Sequence, residues 1–430
     1  MCDSVVALGQ HTAQGVTLYA KNSDRSIGEC QPFAQHPGAF HPRGATTRCT
    51  HVKIPQVAET YRVMGHSPWW VWGFEQGVNE HGVAIGNLSV FSREPVEAQP
   101  GLIGMDLVRL GLERGRDARE ALEMIAALLE QHGQGGPGFG PGESGYHNSF
   151  MIADPEQAWV LETSGRRWAA RRVDQEALSN HISLGANWTI GSRDLESHAR
   201  VAGWWSGSDR LDVASAYRNP DVPGRLSEGR LQRSRGLLAA GRGKHDVESM
   251  AALLRDHGEG SPLPPENRAA EDDARYTLCM HAEPVGTTTA SLIAPLPTDR
   301  TPPWPVWISF ASPCTSVFLP VYIDGVLPAV LARGAGQPDQ SGSGSAWWTF
   351  HRLNEAAARD FSASLPLLAA RWSTFSERVD AGRGPVESEA HILAVAGEAE
   401  EAAGLLSDFM QRVVEDALDE ARRLEALLRR

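Results

Sequence analysis

The sequence predicts an α+β fold in which two stacked antiparallel sheets are covered by helices and followed by a helical C-terminal region. Three observations predict it. Strand-like runs, helical runs, strands, helices and strands follow one another with no βαβ alternation. Short turns join neighbouring strand-like runs, as in antiparallel hairpins. The chain has 430 residues, 41% hydrophobic and 22% charged, so it is long and apolar enough to bury a large core.

The first element is "DSVVALGQHTAQGVTLYAKNSDR", a strand, a polar turn over Gln10 to Gly15 and a returning strand, with apolar and small residues alternating on both sides. A Gly9–Val16 pairing puts Cys2 opposite Ser23 and Asp24 one residue away, and a slip of one or two residues still returns a carboxylate beside the N-terminus. A second hairpin follows in "WWVWGFEQGVNEHGVAIGNLSVF", turning over Asn79 to Gly82 and carrying Asn87 on its return. Residues 103–133 then switch to helical spacing, with apolar stripes at Leu107, Leu110, Ala121, Leu122, Ile125 and Leu128 either side of a break near Gly115. These helices cover one face of a sheet.

"GQGGPGFGPGESGYHN" is glycine-rich but has no GK[ST], so it is no phosphate-binding loop; it is a mobile loop near a site or a surface connection. "NSFMIAD", "AWVLET" and "RWAARRV" form an antiparallel meander, with residues 179–188 as a strand or loop at its edge. Helices at 229–241 and 245–257 precede a second antiparallel set, "TTTASLIAPL", "PVWISFA" and "SVFLPVY". The domain reading is a body over 2–332, a Gly/Ser-rich linker or loop over 333–346, and a helical region over 347–430 whose amphipathic "ALDEARRLEALLRR" packs on the body or on a partner.

A net charge of −13 argues against nucleic acid as a partner, because phosphate binders cluster Lys and Arg. No apolar run is long enough to span a bilayer and no signal peptide is visible, so the expected location is cytoplasmic, with no membrane partner. Five cysteines without a CxxC spacing suit a reducing compartment and predict neither a disulfide framework nor a zinc site. No HExxH occurs, and His51, His66 and His81 are read as loop or surface residues. The expectation is an enzyme without metal or organic cofactor; self-association is left open.

Chemistry centres on "MCDSVVALG". Removal of Met1 exposes a cysteine with its own free amine, a nucleophile and a base on one residue. A thiol pKa near 8.5 and an α-amine pKa of about 7.7–8.0 leave each partly in the needed form near neutrality. Asp24 either orients that amine or caps the NSDR turn. Cys279, His281 and Cys314 lie in apolar, strand-like contexts and are read as structural. Trp69, Trp70 and Trp72 line a pocket or form aromatic core on a strand.

"CDSVVALG", "KNSDR", "NEHGVAIGN", "YHNSFMIAD", "AWVLETSGRRWAAR", "LCMHAEP" and "PCTSVFLPV" together resemble the secernin-like dipeptidases of peptidase family C69, over most of residues 2 to 370. The resemblance implies the four-layer αββα sandwich of the N-terminal nucleophile (Ntn) hydrolases. Penicillin V acylase and bile salt hydrolase are more distant relatives with a similar arrangement. By this resemblance Cys2 is the nucleophile, Asp24 the second-strand aspartate, Asn87 and Asn180 the two asparagines that donate to the oxyanion, and one of Arg230, Arg233 and Arg235 the late arginine, with Arg233 favoured. Lys21 stands where the acylases carry arginine, keeping the charge and losing the bidentate fork; with Trp70 it is assigned to substrate binding. The implied activity is a cysteine-dependent dipeptidase acting through a thioester on a dipeptide or small amide. Its rivals are hydrolysis of an N-acyl amide and a secernin-like regulatory or scaffold protein with little hydrolase activity.

Overall fold

The computed structural model describes residues 1–97, 99–258, 276–282, 285–301, 303–336 and 344–430. Part of the 333–346 stretch read as a linker lies outside them. The N-terminal hairpin pairs in the register the alternation predicts: strand Cys2–Ala7 runs against Thr17–Arg25 with Cys2 opposite Ser23. These strands lie inside a seven-stranded antiparallel sheet, ordered Gln175–Leu178, Cys2–Ala7, Thr17–Arg25, Gly286–Leu296, Val306–Phe310, Leu319–Val321, with His281–Ala282 added beside Gly286–Leu296. An eight-stranded sheet holds the second hairpin and the meander, from Ile190–Gly191 at one edge to Phe33–His36 at the other.

Period-two alternation sorts the first strand's side chains into two layers. Val5 and Ala7 pack with Leu231, Leu238, Met250 and Leu254 of helices Glu228–Ala240 and Val247–Leu254, which cover the outside of the first sheet. Cys2 and Val6 face the other way, into the core shared with Leu88, Met151 and Val160 of the second sheet. Helices Gly104–Arg114 and Ala118–His132 cover the far side of that sheet through Leu107, Leu110, Leu122 and Ile125 against Ile85, Phe150 and Leu161. The layers therefore run α, β, β, α, as the sequence predicts.

The helical C-terminal region is Ala346–Ala357, Phe361–Val395 and Ala399–Leu428. It is anchored on the first sheet: the Trp347 indole N–H donates to the Thr289 carbonyl (2.8 Å) and that of Trp372 to Thr315 (3.0 Å). Buried Phe350, Phe375, Phe409 and Met410 extend the core between the sheets into this layer.

Residues 179–188 are a loop that leads to Ile190–Gly191 at the meander's edge. The strand before them, Gln175–Leu178, has no counterpart in the sequence reading and pairs with Cys2–Ala7 of the other sheet. Two local expectations are corrected. Trp69, Trp70 and Trp72 sit on the irregular segment before Gln76–Asn79, outside any strand. His66 is buried, edge-on to Phe33 and Phe310.

Gly86 packs directly on the first hairpin. A Cβ there would lie 2.2 Å from the Tyr19 hydroxyl and 2.4 Å from Lys21 Cδ, and both side chains are fully buried with nowhere to retreat. Gly86→Ala is expected to cost about 1–3 kcal/mol in urea unfolding through overpacking; an unchanged midpoint would contradict this packing.

Candidate active site

The strand Gln175–Leu178 determines what meets the N-terminus. It pairs Leu178 with Ser4, so two residues further the chain brings Asn180 opposite Cys2. Asn180 Oδ1 accepts the Cys2 main-chain N–H at 2.8 Å, and the Asn180 amide donates to the Ser89 carbonyl (2.8 Å) and hydroxyl (3.0 Å). Pairing of the first two strands continues to the chain end: Met1 N donates to Asp24 O (2.7 Å) and Asp24 N to Met1 O (2.8 Å). The Met1 side chain packs against the cluster of Tyr276, Met280 and Ala282, with Leu226 beside it.

Arg230 closes this end from the outer helix layer. Its guanidinium donates to Cys2 O (3.2 Å), to Asn180 Oδ1 (2.8 Å), to Leu226 O and, in a very short contact, to the Asp3 carboxylate; Asp24 Oδ2 lies 3.8 Å away. Arg230, Leu231, Ser234 and Leu238 form the buried stripe of helix Glu228–Ala240. The favoured Arg233 lies off that stripe and binds Asp256 through Nε (3.0 Å) and Nη2 (2.7 Å), and Arg235 binds Glu176 (2.9 Å). The arginine at Cys2 is Arg230. Two buried carboxylates share this one guanidinium. Burial raises the Asp24 carboxyl from 3.8 to about 6, opposed by the N-terminal ammonium and Arg230 and reinforced by Asp3, while Thr288 Oγ1 donates to Asp24 Oδ1 at 2.7 Å. Asp3 is also raised, by burial above all.

A second charged group lies on the inter-sheet side, where the Cys2 thiol points. Lys21 Nζ is 3.7 Å from Glu75 Oε2; Arg25 binds Glu75 Oε1 (3.3 Å) and Glu29 Oε1 (2.8 Å); the Trp70 indole donates to Glu29 Oε1 (3.0 Å). Arg25 also holds the glycine-rich loop through the carbonyls of Gly138 (3.0 Å) and Phe139 (2.8 Å), so that loop lies over the site. The hydroxyls of Tyr19 and Tyr146 are within electrostatic reach of both Cys2 and Glu75, and burial raises both phenols.

Asn87 meets Glu75 of this second group, and among the described residues no hydrogen bond joins it to Cys2. It lies on the helix-facing side of its strand, with its amide 3.0 Å from Asn148 Oδ1 and 3.2 Å from the Glu75 carbonyl, next to Met105. The polar residue of that strand that reaches the Asn180 network is Ser89. Cys2, Asp24 and Asn180 are thus brought together, Lys21 and Trp70 share the neighbouring charged group, and Arg233 and Asn87 fall outside the hydrogen bonds at Cys2. Asp3, Ser89, Glu75, Arg25 and Thr288 were missed. Asp3 and Glu75 carry a readable signal, being charged residues among apolar neighbours in "CDSVVA" and "WGFEQG". Among the described residues, His257, Cys279, His281 and Cys314 form the one group of metal-ligand type, and Cys2 is not part of it.

Residues 1–197 match the family model described as peptidase family C69. Over 193 residues the chain is 28% identical to "Probable dipeptidase A" of Streptococcus pyogenes serotype M1, and equally to that of serotype M3; the matched stretch is 41% of this chain and 38% of each relative. The chain thus spans well under half the length of the curated relatives it matches. Among solved structures it is similar to a Cys-to-Ala mutant of conjugated bile acid hydrolase from Clostridium perfringens (14% identity, TM-score 0.43, 72% of this chain and 89% of that one). Penicillin V acylase from Agrobacterium tumefaciens is similar at 14% identity and a TM-score of 0.43, over 75% and 86%.

Proposed function

From a chain whose residues 1–197 match the model of peptidase family C69, we infer a cysteine-dependent amidohydrolase that cleaves free dipeptides. The observation that carries the substrate class is the charged group on the thiol's own face, Lys21 and Arg25 with Glu75 and Glu29. A dipeptide presents a free ammonium and a free carboxylate, and each needs a buried opposite charge; an N-acyl amide asks instead for an apolar slot.

Removal of whatever precedes Cys2, here Met1, makes its main-chain nitrogen an amine held by Asn180 Oδ1. The amine takes the thiol proton, and the thiolate sulfur adds to the scissile carbonyl carbon. Collapse breaks the C–N bond, the ammonium returns its proton to the leaving amine, and a thioester remains. Water then adds to the thioester with the same amine as base, releasing the acid and restoring the thiol. Asp24 stabilises the transient ammonium, and Arg230 keeps Asp3 and Asp24 from repelling one another. Asn180 serves to hold the amine, since its own N–H groups are engaged by Ser89. Oxyanion donors would come from the inter-sheet face, where the Tyr19 hydroxyl and Lys21 ammonium lie with the thiol.

This reading fixes the acid limb of the pH profile. A carboxyl raised from 3.8 to about 6 binds a proton more tightly folded than unfolded, so its contribution to stability is full below pH 3.8 and is lost as pH rises through about 6. Activity needs the carboxylate and runs the other way, falling about tenfold per pH unit below that value. The test is an assay of the processed protein on free dipeptides, amine- or carboxyl-blocked dipeptides and N-acyl amides across this range. Hydrolysis confined to free dipeptides with that limb is expected. Turnover of N-acyl amides alone would hand the site to an acylase, and no turnover by a chain lacking Met1 would leave the scaffold reading.

A further inference from the structure

We propose that His257, Cys279, His281 and Cys314 bind a structural zinc ion that braces the wall behind Asp24. One ligand atom from each residue lies within 4.8 Å of all the others, Cys279 and His281 being buried and the other two partly so. Cys279 Sγ is 3.5 Å and Cys314 Sγ 3.3 Å from His281 Nε2, and the rings of His257 and His281 are 5.3 Å apart between centroids. Tetrahedral zinc, with bonds of about 2.3 Å to sulfur and about 2.0–2.1 Å to nitrogen, sets its ligand atoms roughly 3.3–3.8 Å apart. The sulfur–imidazole spacings already fall on that edge length. The His257 Nε2 atom is buried with no hydrogen-bond partner among the described residues.

The donor set selects the metal. Two thiols and two imidazoles without a carboxylate exclude calcium and magnesium and suit zinc. Four protein ligands fill a tetrahedron and leave no position for water, so the ion's work is structural. Binding forms two Zn–S and two Zn–N bonds, and both thiol protons leave to solvent. The sequence conceals the set because its members are spread over 257–314 without a CxxC; Cys279 and Cys314 sit on irregular segments and not on the strands their apolar context suggests.

The placement gives the ion its task. Cys279 and His281 flank Met280, whose N–H donates to Thr288 Oγ1 (2.8 Å) and whose carbonyl accepts from Thr288 N (3.1 Å). The same Thr288 hydroxyl donates to Asp24 (2.7 Å). Met280 also packs on Met1, and the His281 ring stands edge-on to Phe361 at 4.9 Å, where helix Phe361–Val395 begins. One ion would therefore fix the Met280 main chain, through it the Thr288 hydroxyl, and join three remote stretches of chain under the C-terminal helices.

The experiment is metal analysis of the full chain, expressed with zinc supplied and purified without chelator, beside Cys314→Ser. About one equivalent of zinc per chain is expected, reduced at least severalfold in the variant. Cobalt substitution should give the intense visible bands and sulfur-to-metal charge transfer of a tetrahedral thiolate site, and chelation should lower Tm. Wild-type protein with less than about a tenth of an equivalent, full zinc retained by Cys314→Ser, or a mass two hydrogens light from a Cys279–Cys314 disulfide would each overturn the site. All these readouts are made without substrate, so they stand or fall separately from the hydrolase reading.

Discussion

Cys2→Ala is expected to lower kcat/KM on a free dipeptide by about four orders of magnitude or more, because the substitution removes the only atom that forms the acyl bond. The fold should survive it. The variant gives up one sulfur atom against a core that includes Tyr19 and Leu88, a cost of about 1–2 kcal/mol for truncating a small buried group. Three measurements separate the effects. Circular dichroism and Tm report the fold, steady-state kinetics the chemistry, and intact mass after a cysteine-directed acylating probe the nucleophile. Wild-type protein lacking Met1 should carry one adduct that the variant lacks. Retention of more than a few per cent of the activity would place the nucleophile elsewhere and end the mechanism above.

The second large effect concerns stability. Arg230→Met should destabilise the protein by about 3–5 kcal/mol at neutral pH, since it leaves Asp3 and Asp24 buried against each other without their shared cation. Arg233→Ala, on the same helix, should cost no more than about 1 kcal/mol, because its side chain is 44% exposed and its ion pair with Asp256 is a surface pair. Urea unfolding of both variants decides the matter. Adding Asp3→Asn to Arg230→Met should recover part of the loss, giving a coupling that two independent sites would not show. Equal losses in the two arginine variants would mean that the charge cage at Cys2 does not hold the N-terminal strand.

What the sequence could reveal follows from how local each determinant is. The pairing of Cys2 with Ser23 was legible because a single polar turn and clean alternation fix the register of a hairpin. The helices at 104–132 were legible from their apolar stripes. Arg230 was not separable from Arg233, because both stand in a run of exposed-looking arginines and only packing against the sheet selects the buried stripe. Asn87 and Ser89 illustrate a subtler loss. In a sandwich both faces of a strand are buried, so alternation in "IGNLSV" does not tell which face looks toward the other sheet, and Asn87 and Ser89, two residues apart on one face, are separated only by what each meets. The place of Asn180 depends on the chain leaving one sheet for the other at Asp174, a step that no local pattern announces.

The first strand separates Cys2 from its charge-handling partners in a way that bears on how the protein must be handled. The thiol points into the space between the sheets, while Asp3, Asp24 and Arg230 lie on the opposite side, under the helices. A pleated sheet is a wall to protons, and the Cys2 nitrogen, at the end of the strand and held by Asn180, lies between the two sides. An affinity tag fused ahead of Cys2 would turn that nitrogen into an amide and seal the passage while leaving every side chain in place. Purification handles belong at the other terminus, and an N-terminally tagged preparation that folds well and does nothing would report on its tag.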